Sequence, residues 1–382
     1  MLSFLFLCQI YLTLQKKYDM NICIVVGARP NFMKVAPIIR AIEKAAKEGK
    51  NIAYQLVYTG KEDDATLEGS LFDDLQMPCP NTYLGVDCEN LNELTGLVMA
   101  GFERYLQNHP TDVVIVVDDL ASTLATAIVT KKQGITLAHL VAGTRSFDIN
   151  MPKEINRLVI DGLSDLLFTA GISSNSTVSR EGAELSKVYM VGNILMDTLR
   201  YNHNRLQRPA VLNHEQIQEG NYMVFTLNRK ALLANEENLQ KMLNSMINKA
   251  DGMVILAPLR KSAAEVVNRL IGNNHSILRV IAPLSYLQFG YLTAHACGII
   301  TDSGNVAEEA TFNGVPCITL NSYTEHIETV KVGSNVLVGE DAETLGNAVQ
   351  QMVSGNWKKC AIPERWDGRS AERIVQILKS LS

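Results

Sequence analysis

The stretch Met20–Pro37, which reads MNICIVVGARPNFMKVAP, decides the fold of the first part of the chain. Its β-branched run Ile22–Val26 predicts a strand that ends at Gly27. A helix is predicted next, because apolar residues recur near helical spacing at Val35, Ile38, Ile39 and Ile42. Anions favour such a turn at the carboxyl end of a strand, and Arg29 and Lys34 add positive charge there. A structural turn with two solvated cations explains these residues equally well, and the turn lacks the GxGxxG pattern of dinucleotide-binding folds.

Length and composition favour an ordinary globular protein of two domains. The chain has 382 residues, of which 47% are hydrophobic and 20% are charged. Its net charge of −5 argues against the basic surface of a nucleic-acid binder. The seven cysteines form no CxxC pair and are typical of reduced, cytoplasmic thiols. The seven histidines show no metal-ligand spacing, so the sequence predicts neither a metal site nor a cofactor.

Residues 1–19, MLSFLFLCQIYLTLQKKYD, precede the first predicted strand. Their apolar run is shorter than the roughly 20 residues that a membrane helix needs. It also lacks the basic region and the cleavage site of a signal peptide. We therefore expect residues 1–19 to be a non-native or disordered extension, with translation starting at Met20. A weak membrane anchor is the alternative.

Continuous apolar strands alternate with amphipathic helical patterns along the whole chain. This alternation predicts an α/β fold with parallel sheets that are covered on both faces. A polar break at residues 201–221 separates two similar halves. We therefore predict two Rossmann-like domains that face a ligand cleft, over residues 20–200 and 222–365, with 201–221 as the linker. Residues 366–382 are predicted to hold an amphipathic helix that is able to pack back on the first domain.

Polar residues that follow predicted strands are the candidates for chemistry. Asp118 and Asp119 end the apolar run Val113–Val117. Because neighbouring residues of a strand point to opposite faces, we expect only one of these carboxylates to face the cleft. Capping of the next helix is the slightly favoured role for it, and catalysis is the alternative. His139 is expected in the core, and Arg145 is expected in the cleft.

In the second half, the turn Ser303–Asn305 opens a helix and suits backbone contact with a phosphate. Glu308 and Glu309 follow in that helix. They either offset the helix dipole or bind a ribose diol. His326 suits a structural or a functional role.

Nine segments occur in a fixed order: GARPNFMKVAPI, DDLASTLATA, HLVAGTRSFDINMPKEINR, VGNILMDTL, FTLNR, TDSGNVAEEATFNGVPC, TEHIETV, GSNVLVG and DGRSAERIVQIL. With these segments the chain closely resembles bacterial UDP-N-acetylglucosamine 2-epimerases of the non-hydrolysing type, over essentially Met20 to Ser382. The resemblance implies the glycosyltransferase-B architecture, a UDP-sugar in the interdomain cleft and a cytoplasmic homodimer. It also implies supply of UDP-N-acetylmannosamine for surface polysaccharides, by elimination and re-addition of UDP with proton transfer at C2.

At the nucleotide end the chain keeps the family pattern. The residues that the resemblance assigns are the phosphate-side cations Arg29 and Lys34, the second-domain arginine Arg229, the phosphate-contacting Ser303 and Gly304, the ribose-binding Glu309 and the uracil-contacting Phe289.

At the sugar end the chain departs from the family pattern. The family's catalytic glutamate is replaced by Val141, a second catalytic carboxylate by Lys153 and a histidine by Asn228. Valine cannot transfer a proton, and asparagine does not titrate. Asp119 and Glu154 remain as the candidate catalytic residues.

We therefore expect a UDP-sugar-binding family member with an impaired catalytic centre. One alternative is a working epimerase that uses Asp119 with Lys153 or Glu154. Two others are a non-catalytic regulatory subunit of an intact epimerase and a UDP-sugar hydrolase. The first domain's apolar helical patterns suit a homodimer, or a heterodimer with an active paralogue. Neither nucleic acid nor a membrane is an expected partner.

Overall fold

The computed structural model describes residues 20–67, 69–214, 217–272 and 276–381. The expected extension, residues 1–19, lies outside these residues. The described chain forms two parallel sheets, one in each half. Across the described ranges no helix combines the length and the apolar character needed to cross a bilayer.

The described part of the first half contains seven strands. They are β1 (Met20–Val26), β2 (Ile52–Tyr58), β3 (Thr82–Tyr83), β4 (Val113–Val117), β5 (Thr136–Ala142), β6 (Leu166–Thr169) and β7 (Val188–Met190). The helices of this half are α1 (Arg29–Lys47), α2 (Gly69–Leu75), α3 (Leu91–Asn108), α4 (Ala121–Lys132), α5 (Pro152–Leu163), α6 (Ile172–Arg180) and α7 (Ile194–Asn202). The strands pair in the order β3-β2-β1-β4-β5-β6-β7.

Six strands lie in the described residues of the second half. They are β8 (Tyr222–Thr226), β9 (Val254–Pro258), β10 (Leu278–Ile281), β11 (Gly298–Thr301), β12 (Cys317–Thr319) and β13 (Asn335–Leu337). The remaining helices are α8 (Ala210–His214), α9 (Lys230–Ala234), α10 (Glu236–Lys249), α11 (Lys261–Ile271), α12 (Tyr286–Ala294), α13 (Gly304–Asn313), α14 (Glu328–Lys331), α15 (Ala342–Val353) and α16 (Ser370–Lys379). The strands pair in the order β10-β9-β8-β11-β12-β13.

The central strands are buried because helices cover both faces of each sheet. Every residue of β4 and of β8 is buried, as the continuous apolar runs predict. Helix α1 packs its apolar face on the first sheet. Its buried apolar residues are Phe32, Val35, Ala36, Pro37, Ile38, Ile39, Ile42 and Ala45.

The join between the halves and the end of the chain both contain helix. Helix α8 lies inside the polar segment 201–221, which the sequence analysis treats as a linker. The last helix, α16, contacts α1 and α7 of the first half. Its apolar residues Ile374, Val375 and Leu378 share a core cluster with the apolar face of α1.

Each sheet has one point where the winding direction of the chain reverses. This switch point lies between β1 and β4 in the first sheet and between β8 and β11 in the second. In open α/β sheets, ligands bind at the carboxyl ends of the strands at such a point. The fold therefore places two candidate subsites at the ends of these four strands.

Candidate functional site

A cavity of about 180 Å³ lies at the carboxyl ends of β1, β4 and β5. We call it the first cavity. Its charged lining residues are Lys34, Asp118, Asp119, Lys153, Arg157, Glu308 and Glu325. Because Glu308 and Glu325 come from the second half, the first cavity lies between the two halves, where the sequence predicts a cleft.

Asp118 and Asp119 both line the first cavity, so the expectation that only one faces the cleft is wrong. Strand β4 ends at Val117, and Asp118 has a φ of +58°, so the alternation of strand residues stops there. The predicted capping role is wrong as well, because the N-cap of α4 is Leu120. Both carboxylates instead take part in ion pairs of the cavity wall.

Asp118 connects the end of β4 to the turn before α1. Its Oδ1 pairs with Lys34 Nζ at 2.6 Å, and its Oδ2 accepts a hydrogen bond from Asn31 Nδ2 at 2.8 Å. Asn31 Oδ1 accepts hydrogen bonds from the amides of Gly27 and Ala28. Burial lowers the pKa of Lys34, but the carboxylates of Asp118, Glu308 and Asp119 together outweigh burial, and the pKa is raised. Lys34 is thus a buried ammonium with an internal counterion.

Asp119 is held by two cations. Its Oδ2 accepts hydrogen bonds from Arg157 Nε at 2.8 Å and Nη2 at 2.5 Å, and Lys153 Nζ lies 3.3 Å from its Oδ1. Burial raises the pKa of Asp119, but Lys153 and Arg157 together hold it below its usual range. Asp119 is therefore an ionised carboxylate at neutral pH. Arg157 also pairs with Glu325, which links the two halves across the first cavity.

Glu154 lies behind the cavity wall and does not line it. It is only 3% exposed, and it accepts hydrogen bonds from the amides of Ser146 and Phe147 and from the Ser146 hydroxyl. It also pairs with Arg157 at 3.1 Å. Burial raises the pKa of Glu154, but these hydrogen bonds outweigh it and lower the pKa. This carboxylate fixes the loop before α5, and its acceptor sites are occupied.

Val141 lines the first cavity in a strained backbone conformation. Its φ is +70°, which is rare for a β-branched residue, and the register between β5 and β6 shifts at this point. The strained residue is thus at the cavity wall, where the resemblance places the family's glutamate. Neither its methyl groups nor its backbone supplies a group that titrates.

His139 is buried as expected, but it also lines the first cavity, and the expected place of Arg145 in the cleft is wrong. Nδ1 of His139 lies 2.6 Å from Asp161 Oδ1, and Nε2 donates to the carbonyl of Asp118. Arg145 is buried and forms ion pairs with Asp161 and Glu181. Arg145 therefore belongs to a buried charge network behind β5, where its ion pair with Asp161 holds it outside the cleft.

A second cavity of about 440 Å³ lies at the ends of β8 and β11. Asn228 and Arg229 line it after β8, and the turn from Asp302 to Asn305 lines it after β11. Asp302 Oδ2 accepts hydrogen bonds from the amides of Asn228 and Arg229, so it joins the two strand ends. Arg229 also donates to Asn321 Oδ1 and pairs with Glu340.

The two cavities are continuous in their lining. Asn305, Glu308, Glu325 and His326 line both. Helix α13 begins at Gly304 with Ser303 as its N-cap, so its amino end lies at the second cavity. The amides there suit an anion, as the sequence predicts for Ser303–Asn305.

Glu309 differs from every carboxylate described above. It is 7% exposed, and within the described ranges no hydrogen bond or ion pair to its side chain is found. Burial, together with the neighbouring Glu308, raises its pKa to about 8. Such a group gains stability only when a ligand or water donates hydrogen bonds to it.

Glu309 and two other expected nucleotide-binding residues line neither the first nor the second cavity. Arg29 is the first residue of α1, next to the lining residues Ala28 and Pro30. Phe289 lies in α12 and packs on the core cluster below the second sheet. Among the described residues, no group of three or more His, Cys, Asp or Glu side chains could hold a metal ion.

Three polar residues that shape the site are missing from the sequence-based candidates: Asn31, Arg157 and Glu325. The spacing of Arg157, three residues after Glu154 on a helix, is a usable signal for an ion pair. The contact of Arg157 with Glu325 spans 168 positions of the chain, and nothing in one sequence indicates it.

The chain is similar in sequence to a family of known sugar-nucleotide enzymes. A family model described as UDP-N-acetylglucosamine 2-epimerase matches residues 44–379. The UDP-N-acetylglucosamine 2-epimerase of Methanocaldococcus jannaschii is 35% identical over 371 residues, which cover 94% of this chain and 99% of that protein. The UDP-2,3-diacetamido-2,3-dideoxy-D-glucuronate 2-epimerase of Pseudomonas aeruginosa is 31% identical over 379 residues, with 95% and 100% covered.

The fold agrees with a solved structure as well. The crystal structure of the M. jannaschii UDP-GlcNAc 2-epimerase in complex with UDP-GlcNAc and UDP matches with a TM-score of 0.81 at 33% identity. The match covers 94% of this chain and 100% of the other. The predicted fold, two Rossmann-like domains in a glycosyltransferase-B-like arrangement, is confirmed.

Proposed function

This chain belongs to the UDP-N-acetylglucosamine 2-epimerase family, and we propose that it binds a UDP-sugar with a catalytic centre impaired for epimerisation. The sugar would occupy the first cavity and the nucleotide the second. On this proposal it is a cytoplasmic protein of surface polysaccharide synthesis. The domain limits given from the sequence, 20–200 and 222–365, belong to the same proposal.

The unpartnered carboxylate of Glu309 is the observation that supports nucleotide binding most directly. A buried glutamate without a protein hydrogen bond is costly, and two ribose hydroxyls would satisfy it. The amino end of α13, five residues earlier at Gly304, supplies amides for a phosphate. Arg229 at the end of β8 adds a cation to the same cavity. Arg29, Ser303, Gly304 and Phe289 complete the proposed nucleotide site.

The state of the first cavity supports impaired proton transfer. Epimerisation at C2 needs one group to remove a proton and another to return it. Val141 cannot do either, and Glu154 uses its oxygens to hold residues 146–147. Asp119 is the one proposed catalytic carboxylate that lines the cavity, and its charge is compensated by Lys153 and Arg157. Loss of one acid/base group typically costs about 10²–10⁴-fold in rate.

A working epimerase that uses Asp119 and Lys153 is the second candidate. The observation in its favour is the contact between Lys153 Nζ and Asp119 Oδ1 at 3.3 Å on the cavity wall. Lys153 is 62% exposed, so its ammonium is free to reach a substrate. Against this candidate, an ammonium has no lone pair with which to accept a proton, and the Lys153 ammonium is already paired with Asp119.

The partner that we propose is a second chain, either a copy of this one or an active paralogue. Helices α3, α4 and α5 lie side by side on one face of the first sheet. They expose apolar side chains at helical spacing: Leu97, Ile155, Leu158 and Val159. An exposed apolar face of this kind is typical of a protein interface. A Leu158→Glu variant should be monomeric by light scattering if this face forms the dimer.

Calorimetric titration of the purified chain with UDP and with uridine tests the proposal. We expect UDP to bind with micromolar to submillimolar affinity and uridine to bind more weakly, because the phosphates contact α13. Heat-denatured protein serves as the control for non-specific heat. Failure of the native chain to bind UDP at millimolar concentration would contradict the proposed function.

A further inference from the structure

Lys34 is the one lysine buried in the wall of the first cavity, and the protein itself neutralises it. The Asp118 carboxylate lies 2.6 Å from its Nζ and takes a further hydrogen bond from Asn31. The other lining cations are paired too, Lys153 with Asp119 and Arg157 with Asp119, Glu154 and Glu325. A ligand anion that enters this cavity therefore meets a carboxylate beside every cation.

The arrangement of the cavities decides which part of a nucleotide meets Asp118. If the nucleoside and the first phosphate occupy the second cavity, the terminal phosphate points through the shared wall at Asn305 and Glu308 towards the first. An oxygen that accepts a hydrogen bond from Lys34 Nζ would lie about 4.5 Å from Asp118 Oδ1, given normal hydrogen-bond lengths and angles. Repulsion at that distance is substantial in a partly buried site.

UDP and a UDP-sugar differ in charge at that phosphate. The second proton of a free phosphate monoester leaves near pH 6, so UDP carries one more negative charge than a UDP-sugar at about pH 8. In the UDP-sugar the same oxygen is esterified and does not ionise. A fixed negative charge beside Lys34 thus acts more strongly against UDP than against the sugar nucleotide.

We propose that Asp118 is a specificity-determining residue that makes the site prefer a UDP-sugar over free UDP. The inference rests on the proposed function, since it requires both ligands to bind. Asp118 does not need to touch the ligand, because its charge acts over a few ångströms. The discrimination keeps the site filled by the sugar nucleotide when free UDP competes with it.

The backbone at Asp118 allows a clean test. Its φ of +58° suits asparagine and glycine, so Asp118→Asn and Asp118→Gly remove the charge without backbone strain. Asp112→Asn is the matched control, because Asp112 lies before the amino end of β4 and bonds Asn21 instead. Thermal unfolding of each variant verifies that it folds.

Dissociation constants for UDP and UDP-N-acetylglucosamine are measured at pH 8 by calorimetry. We expect the ratio of the UDP to the UDP-sugar constant to fall about tenfold in both Asp118 variants and to stay unchanged in Asp112→Asn. A purely structural role would change both constants alike and leave the ratio unchanged, and that result would overturn the inference. Wild-type protein that binds neither ligand would instead overturn the proposed function, and this inference with it.

Discussion

The two cavities share a wall, but Asp118 and Asp119 of the first are held in the opposite way to Glu309, which follows the shared lining residue Glu308. In the first cavity, Asp118 and Asp119 are each paired with protein cations. Near the second, Glu309 is buried without a protein partner in the described part of the chain. A paired carboxylate keeps its geometry in the empty protein, whereas an unpaired one takes its hydrogen bonds from a ligand or from water. We infer that the sugar end has become structural while the nucleotide end is still built for its ligand.

Rebuilding the sugar end is expected to give the largest effect. The variant with Val141→Glu, Lys153→Glu, Asn228→His and Asp118→Gly restores three proton-transfer groups and removes the carboxylate that pairs with Lys34. We expect C2 exchange to rise about 10²-fold or more over wild type, the usual contribution of one such group. Val141→Glu alone should gain little, because Lys153 lines the same cavity and can pair with it. The rate is followed by NMR with UDP-N-acetylglucosamine.

The matched control for the rebuilt variant carries Val141→Gln with the same three other changes. Glutamine has the same shape as glutamate but transfers no proton. If the C2 exchange rate rises as much with glutamine as with glutamate at position 141, the rise does not come from a restored proton-transfer group, and the account of the first cavity is wrong.

Removal of the unpaired carboxylate should have the next largest effect. Glu309→Ala is expected to weaken UDP binding about 10- to 100-fold. This is the loss in affinity that corresponds to the usual free energy of a hydrogen bond to a charged group. Wild type should bind 2′-deoxy-UDP more weakly than UDP, and the variant should bind both alike. Glu343→Ala, an exposed glutamate of α15, is the control. If Glu309→Ala weakens the binding of UDP and of 2′-deoxy-UDP by the same factor, Glu309 does not bind the ribose 2′-hydroxyl.

A smaller effect is expected from pH. Burial raises the pKa of Glu309 to about 8, so the free protein holds a proton there at pH 7. Hydroxyl donors favour the ionised form, so binding should release a proton, and affinity should rise with pH until about 8. UDP-N-acetylglucosamine is the suitable ligand because its phosphates do not titrate in this range. Calorimetry in buffers of different ionisation enthalpy measures the release, which Glu309→Gln should abolish.

The smallest effect concerns backbone strain at the first cavity. Val141→Asn replaces a β-branched residue at φ +70° by one that tolerates this conformation. Relief of about 1 kcal/mol should raise the melting temperature by roughly 3 °C. Val254→Asn, at a half-buried position of β9, should lower it. If Val141→Asn lowers the melting temperature as well, packing of the valine side chain stabilises the protein by more than the backbone strain destabilises it.

The sequence predicts the fold well because the pattern of apolar runs is local. The strands β1 and β4 lie within two residues of the apolar runs Ile22–Val26 and Val113–Val117. The two-residue strand β3 is missed, since Thr82 and Tyr83 are too short a run to show a period. The helix α8 inside the polar segment 201–221 is missed for the same reason.

The site is predicted less completely because its roles depend on distant contacts. The orientation of Asp118 depends on a positive φ that no sequence pattern indicates. Glu154 is a catalytic candidate from the sequence, yet its hydrogen bonds to residues 146–147 occupy it. Arg145 misses the cleft because Asp161, on a later helix, binds it.

The most direct test of the central claim is incubation of the wild-type chain with UDP-N-acetylglucosamine in deuterated water. NMR follows deuterium at C2, the mannosamine product and free UDP together, while calorimetry on the same sample measures binding. The account predicts saturable binding with C2 exchange far below one turnover per second. Exchange and product formation at several turnovers per second, within the common enzyme range, would contradict it.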